Sequence, residues 1–371
     1  MQPSAIQQLT HDRIAASPSG TLTWAEVMSL ALYHPEHGYY GGGPRRIGRG
    51  GDFFTAVTVG PLYGRLLAGL AERIWRALGE PGDFTVIEQG AHDGQLMEDV
   101  MRGLEAMNSP LAGSACFCIV EANDKYRAAQ ATRLTTSLGA RLTWASDLTE
   151  LSGGPRHVFF MTNELLDAFT VHRVRWTGTE WCEQAVGLAA DGVGLVWRDV
   201  PLTDERLKME TARLPRELPP GYTTEIHPAS LEWMRQVAAT AFRGAVLIAD
   251  YGLDDTEYYS SERMDGTLRR YREHQMDGDV LRDLGRCDLT AHINFTRLIE
   301  EAVPHFTTSG SLDQGRFLTR VAAPWLRSLE GRAPSPETAA LLRQFQTLTH
   351  PAHMGGKFRM CLLERGLDAG W

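Results

Sequence analysis

Short continuous apolar runs alternate with stretches of helical periodicity along much of this chain. The runs Phe84–Glu88, Phe117–Glu121, His157–Thr162 and Ala245–Tyr251 have the length of buried strands. Gln95–Met107 and Lys125–Leu138, which lie between them, repeat apolar residues at the three-to-four-residue spacing of a helix. That alternation predicts an α/β fold with a parallel, doubly wound sheet, whose ligands lie at the C-terminal ends of the strands. Upstream, Gly60 to Leu78 is a predicted helix, and so is Leu22 to Tyr33 with Thr23 as its cap. Val171 to Asp199 breaks the rhythm, with turns at Thr177-Gly178 and Asp191-Gly192, and predicts an antiparallel hairpin or meander inserted in the core. The expected organisation is a helical region over 1–78 that carries a Gly-rich loop, then an α/β domain over 79–371 with insertions at about 171–225 and 253–290. Leu214–Gly221 and Gly331–Pro336 read as stiff connections, and no internal repeat is visible.

The strand ends hold the candidate chemistry. Glu88-Gln89-Gly90-Ala91-His92-Asp93-Gly94 reads as strand end, turn and helix N-terminus, where backbone N–H groups converge on a ligand. The two glycines either relieve a tight turn or admit a ligand, and Glu88 can accept from a cationic ligand or from the turn itself. Glu121, at the tip of the next strand, suits a ribose diol, so the pair suggests a nucleoside-containing cofactor. After the apolar strand Val158–Thr162 comes Asn163-Glu164-Leu165-Leu166-Asp167-Ala168. Its two acids either complement a helix dipole or, three residues apart, share a helical face and hold a guanidinium or orient a proton-bearing nucleophile. His292, in Asp288-Leu289-Thr290-Ala291-His292, is either a structural histidine or a base, and the tyrosines of Gly38-Tyr39-Tyr40 and Asp250-Tyr251-Gly252 either pack or face a substrate. The glycines of Gly41 to Gly51 imply mobility or close approach to a ligand, in the manner of a lid.

Composition narrows the class. With 371 residues, 43% hydrophobic and 22% charged, the chain can bury a full core and is expected to be soluble. A net charge of -9 argues against a nucleic-acid partner, and no apolar segment has the length of a membrane span. The N-terminus shows neither a secretory nor a transit pattern, so the expected location is cytoplasmic. The five cysteines, Cys116, Cys118, Cys182, Cys287 and Cys361, lack metal-ligand spacing and are read as reduced packing residues, with no metal site expected.

Taken in order, Gly38-Tyr39-Tyr40, Gly51-Asp52-Phe53-Phe54-Thr55, Glu88 to Gly94, Asn163-Glu164 with Asp167-Ala168, Asp250-Tyr251-Gly252, Gly266-Thr267-Leu268-Arg269 and Asp288 to His292 resemble the MidA family. The resemblance continues through Gln314-Gly315-Arg316-Phe317-Leu318 and Met354-Gly355-Gly356-Lys357-Phe358, and so spans nearly the whole chain. It implies a class I methyltransferase fold, Rossmann-like and doubly wound, with a mostly parallel seven-stranded sheet, one antiparallel strand and an N-terminal helical lid. S-adenosyl-L-methionine is the implied cofactor. The family's mitochondrial members act as protein arginine methyltransferases in the assembly of respiratory complex I. By position, Glu88, Gly90, Asp93 and Gly94 would form the cofactor turn, Glu121 would take the ribose, Asp147 and Leu148 would face the adenine, and Asn163 would border the methyl. Glu164 and Asp167 would be catalytic, with Tyr40, Asp52, Phe54, His172, Tyr251 and His292 on the acceptor side.

Two departures mark a divergent, bacterial-type member. His92-Asp93 replaces a second glycine and a small residue in the turn, and Thr58 and Gly60 stand where the family commonly has a glutamate and a serine. The expected activity is methyl transfer to a protein arginine. A small-molecule O- or N-methyltransferase, needing a base such as His172, His292 or Asp52, is the alternative, followed by a non-catalytic assembly factor and, last, a nicotinamide oxidoreductase. Expected partners are a protein or small-molecule methyl acceptor and a second copy of the chain in a homodimer.

Overall fold

The four apolar runs are neighbouring parallel strands, set side by side as Arg243–Leu253, His157–Asn163, Phe84–Gln89 and Cys116–Val120. Leu142–Ala145 continues the parallel series beyond Cys116–Val120. On the other side Phe358–Arg365 runs antiparallel to Arg243–Leu253 and also to Ser311–Asp313, so one strand of these seven opposes the rest, as the class I fold requires. The computed structural model of the chain describes residues 4–43, 55–215, 217–272, 275–331, 333 and 335–367.

These strands are apolar along nearly their full length because both faces are buried. Phe84, Val86, Phe117, Ile119, Phe159 and Met161 are each at most 1% exposed and share one cluster with residues of the helices Leu62–Ala77 and Gln95–Ala106. Each such side chain contributes about 1.5–3 kcal/mol by leaving water. The chain steps outward from Phe84–Gln89 to Cys116–Val120 and Leu142–Ala145, then returns to the opposite side at His157–Asn163. The strand order therefore reverses between Gln89 and Asn163, which is where open α/β sheets take ligands.

Contacts divide the chain into two compact units. The sheet unit comprises Phe54–Leu165, Met234–Gly252 and Ile299–Trp371, and the other comprises Met1–Phe53, Leu166–Trp233 and Leu253–Leu298. The region 1–78 expected to be one body is thus split, because the amphipathic helix Leu62–Ala77 packs on Gln95–Ala106 in the sheet unit.

In the second unit, His172–Trp176, Trp181–Leu188 and Leu195–Pro201 form the expected meander. Thr21–Thr23 and Thr223–Ile226 join them as further antiparallel strands. Thr21–Thr23 pairs with Gly187–Ala185, so the following helix starts at Trp24 rather than Leu22. Thr23 caps it as expected, within a capping box closed by Glu26. A smaller sheet joins Gln275–Asp277, Arg269–Arg272 and Asp288–Thr290. The five cysteines are free, four of them buried. Among the described residues no helix is long and apolar enough to cross a membrane.

Candidate active site

Glu88 is the penultimate residue of its strand and is 3% exposed. Burial pushes its carboxyl up to about 8, the Met97 N–H opposes that by donating to it, and the Asp93 and Asp99 charges push further up. Its Oε2 has no hydrogen-bond partner among the described residues. The turn that follows is left-handed at Gly90 (φ 81°), His92 (φ 47°) and Gly94 (φ 86°). The backbone there favours glycine, and a Cβ would also crowd Leu165 Cδ1 at 3.1 Å from Gly90 and Leu134 Cδ1 at 2.8 Å from Gly94. Asp93 pairs with Arg133 at 2.5 Å and accepts from the Gln95 N–H at 3.3 Å. Burial pushes its carboxyl up, but hydrogen bonds and charge from His92 and Arg133 prevail and hold it down at about 2. Arg133 also reaches Glu98 at 3.0 Å, so the departure from the family pattern at Asp93 ties the turn to the helix Asp124–Leu138.

Glu121 follows the next strand, its N–H donating to the Ala145 carbonyl at 2.9 Å and its Oε1 accepting from the Asn123 N–H at 2.8 Å. Burial raises its pKa. Gln130, fully buried, connects this residue to the turn: its Nε2 donates to the His92 carbonyl at 3.0 Å and lies 3.5 Å from Glu121 Oε2. Its Oε1 accepts from the Trp144 indole N–H at 3.0 Å. The sequence reading missed Gln130. Its signal was a lone amide at the four-residue spacing of Tyr126, Leu134 and Leu138. Asp147 is exposed and caps the short 3-10 turn Leu148–Leu151, accepting from the Thr149 N–H at 2.7 Å, while Leu148 is buried.

The expectation that Glu164 and Asp167 share a helical face is corrected. Glu164 is left-handed (φ 53°), its N–H donates to the Ala249 carbonyl at 2.9 Å, and only Leu166–Ala168 forms a single 3-10 turn. The Leu165 N–H goes to Asp250 Oδ2 at 3.2 Å, and Asp250 is fully buried, so the neighbouring strand end pins this segment out of a helix. Asn163 donates to Glu164 Oε1 at 3.0 Å. Tyr251 packs against Phe358 with the rings tilted and 4.1 Å between centroids. The structure adds Tyr63, 1% exposed, whose hydroxyl has no partner among the described residues. Burial, then the charges of Glu164 and Glu88, push its pKa well up.

Asp167 lies in the second unit, which gathers three of the sequence motifs. Tyr40 donates to Asp288 Oδ1 at 2.9 Å, the Ala291 N–H donates to the Asp167 carbonyl at 2.9 Å, and Tyr33 donates to the Ala168 carbonyl at 2.6 Å. Burial, then Asp288, Tyr33 and Asp167, raise the Tyr40 pKa. Both Asp167 and Asp288 are 4% exposed. His172 Nδ1 is 2.7 Å from Glu183 Oε1. Burial, with Arg263 and Arg269, lowers His292 to about 4, which keeps its ring neutral at pH 7 and makes it a weak base. Asp52 and Phe54, and the Gly-rich loop beyond Gly43, lie outside the described residues.

The buried carboxylate oxygen of Glu88 and the glycines that keep the turn bare fit a cationic nucleoside cofactor. A protein of Burkholderia thailandensis, crystallised with S-adenosyl-homocysteine, superposes with a TM-score of 0.83 at 29% identity, covering 100% of this chain and 96% of its own. A Drosophila melanogaster protein named as the mitochondrial protein arginine methyltransferase NDUFAF7 homolog is 29% identical over 95% of this chain and 83% of its own. The Rattus norvegicus protein arginine methyltransferase NDUFAF7 is 28% identical over 96% and 84%. The cofactor is S-adenosyl-L-methionine. With the family model matching residues 66–310, the chain belongs to the S-adenosyl-L-methionine-dependent methyltransferases.

Proposed function

We propose that this methyltransferase acts on arginine side chains of proteins. The observation that carries the reading is the pair of buried acids Asp167 and Asp288, with the Tyr40 hydroxyl on Asp288, because two desolvated carboxylates balance a guanidinium and accept its N–H groups. The names of the Drosophila and rat relatives point the same way. A hydroxyl acceptor would need a poised base, whereas His292 is held neutral at about 4.

S-adenosyl-L-methionine, when bound, supplies the methyl as a sulfonium substituent. Glu88, the Gly90–Gly94 turn and Glu121 would hold it, with Asp147 and Leu148 at the adenine end and Asn163 and Glu164 beside the reacting group. The protein's share is position: holding a nucleophile in near-attack geometry lowers a barrier by up to about 7–11 kcal/mol. Asp167 and Asp288 orient the guanidinium and balance its charge. The test is transfer of labelled methyl from the cofactor into a cell extract, followed by acid hydrolysis of the protein fraction. Labelled methylarginine is expected. Label confined to small molecules, or to another amino acid, overturns the arginine reading.

A further inference from the structure

In the second unit a cleft of about 510 Å³ opens beside the helix Trp24–Tyr33, within the size range of ligand sites. Ala25, Ser29 and Tyr33 follow one another at four-residue spacing on the helix face that lines it, joined by Leu30, Pro35 and His172. Tyr33 is 43% exposed, and among the described residues it is the one aromatic ring in the set of exposed large hydrophobic side chains. That exposure is not looseness. Its hydroxyl donates to the Ala168 carbonyl at 2.6 Å, and its ring stacks on Tyr40 with 5.9 Å between centroids and 24° between planes. Tyr40 in turn donates to Asp288 Oδ1 at 2.9 Å, and Ala168 directly follows Asp167. The ring that lines the cleft is thus bonded to the backbone beside one acid and stacked on the partner of the other.

The chemistry of the walls selects an occupant. Glu26 Oε2 accepts from the Thr23 N–H and hydroxyl, both at 2.8 Å, and His34 Nδ1 accepts from the Glu36 and His37 N–H groups, both at 3.3 Å. His172 is fixed through Nδ1, 2.7 Å from Glu183 Oε1. Arg13, which also lines the cleft, makes no ion pair among the described residues, so its charge disfavours a basic neighbour. The surface left to cover is apolar: the Tyr33 ring with Leu30, Pro35 and Ala25. An aromatic held in place at a surface is the usual anchor of a protein interface. We propose that this cleft is a subsite for the methyl-acceptor protein, taking an apolar side chain that flanks the arginine while Asp167 and Asp288 hold the guanidinium. The proposal rests on the arginine reading above. Continuity through Tyr33 names the occupant, because a chain whose arginine lies at the acid pair brings its neighbouring residues to the same ring.

The experiment fills the cleft and reads acceptor preference. Initial rates of methyl transfer from S-adenosyl-L-methionine are measured on two peptides of equal length with a single central arginine, flanked by leucines in one and by glycines in the other. The full-length wild-type chain is expected to show a KM about tenfold lower for the leucine peptide at similar kcat, because a flanking contact is made in ground and transition states alike. Ser29→Trp places an indole in the cleft from an exposed helix position. It should reduce the preference to within about twofold, with the thermal midpoint unchanged as for an ordinary surface substitution. Should Ser29→Trp fail to fold, Ala25→Trp fills the same cleft and carries the same comparison. Equal KM values for the two peptides in the wild type, or a leucine preference that survives the filled cleft in full, overturn the subsite and leave the arginine reading standing. Label entering neither peptide sinks the arginine reading, and the subsite with it.

Discussion

At the scale of single residues, Glu88 couples the turn proposed to hold the cofactor to pH. Its carboxyl rises from the ordinary 4.5 to about 8 on folding, so between those values the native chain holds a proton that the unfolded chain releases. Stability from this group is present below the lower value and is lost as pH rises through about 8. Glu88→Gln cannot ionise and keeps an acceptor for the Met97 N–H. It should raise the thermal midpoint by about 1–2 °C at pH 9, the shift that ~1 kcal/mol gives in a chain of this length, and change little at pH 5. Equal midpoints of variant and wild type at both pH values would contradict the burial of that carboxyl. Glu121 and Glu164 should separate kinetically. A ribose contact exists in ground and transition states alike, so Glu121→Ala weakens cofactor affinity, measured by calorimetry, by roughly tenfold. Glu164→Ala should lower kcat by a comparable factor with that affinity intact.

At the scale of elements, the turn and the helix that follows act as one part. Gly94 sits at the N-cap of Gln95–Ala106 with φ 86°, and its bare Cα faces Leu134 on Asp124–Leu138. Gly94→Ala forces a left-handed alanine against Leu134 and should cost about 1–3 kcal/mol in denaturant unfolding. A loss under about 0.5 kcal/mol would mean the turn adopts another conformation. The same element shows what was legible beforehand. Val86 and Ile87 declare a strand, and the stripe Leu96, Val100, Leu104 declares a helix, because both patterns are local. The 164–167 segment was misread because its shape comes from afar, from the Ala249 carbonyl and the Asp250 carboxylate. Nothing in Glu164-Leu165-Leu166-Asp167 itself announces those partners. Tyr63 was missed for a related reason: at helical spacing among Leu62, Leu66 and Leu67 it reads as one more core aromatic, and only the missing partner of its hydroxyl distinguishes it.

At the scale of the whole molecule, the residues proposed to hold the cofactor and those proposed to meet the acceptor belong to different units. Glu88, the glycine turn and Glu121 belong to the sheet unit, whereas Tyr40, Asp167 and Asp288 belong to the other. Asp167→Asn and Asp288→Asn should therefore leave S-adenosyl-homocysteine affinity within about twofold while cutting kcat/KM for an arginine-bearing peptide by roughly 10–100-fold, the range lost with a charge-assisted contact of about 1.5–3 kcal/mol. Unchanged kcat/KM in both variants would remove the acid pair from the acceptor's path. The doubly wound sheet was legible because its alternation runs through the sequence. The division into units was not, because each unit is assembled from segments far apart in the chain, and periodicity carries no record of which segments meet.

The Gln130 amide has an optical consequence. It accepts from the Trp144 indole N–H while donating to the His92 carbonyl of the turn, and it lies beside Glu121. Whatever moves the turn or Glu121 changes the polarity around that indole, which makes Trp144 a built-in fluorophore for occupancy. Of the chain's 9 tryptophans, its signal can be isolated by subtracting the emission spectrum of Trp144→Phe from that of the wild type. Saturating S-adenosyl-homocysteine should shift or quench that difference spectrum, and it should leave it unchanged in Gln130→Ala, where the wire is cut.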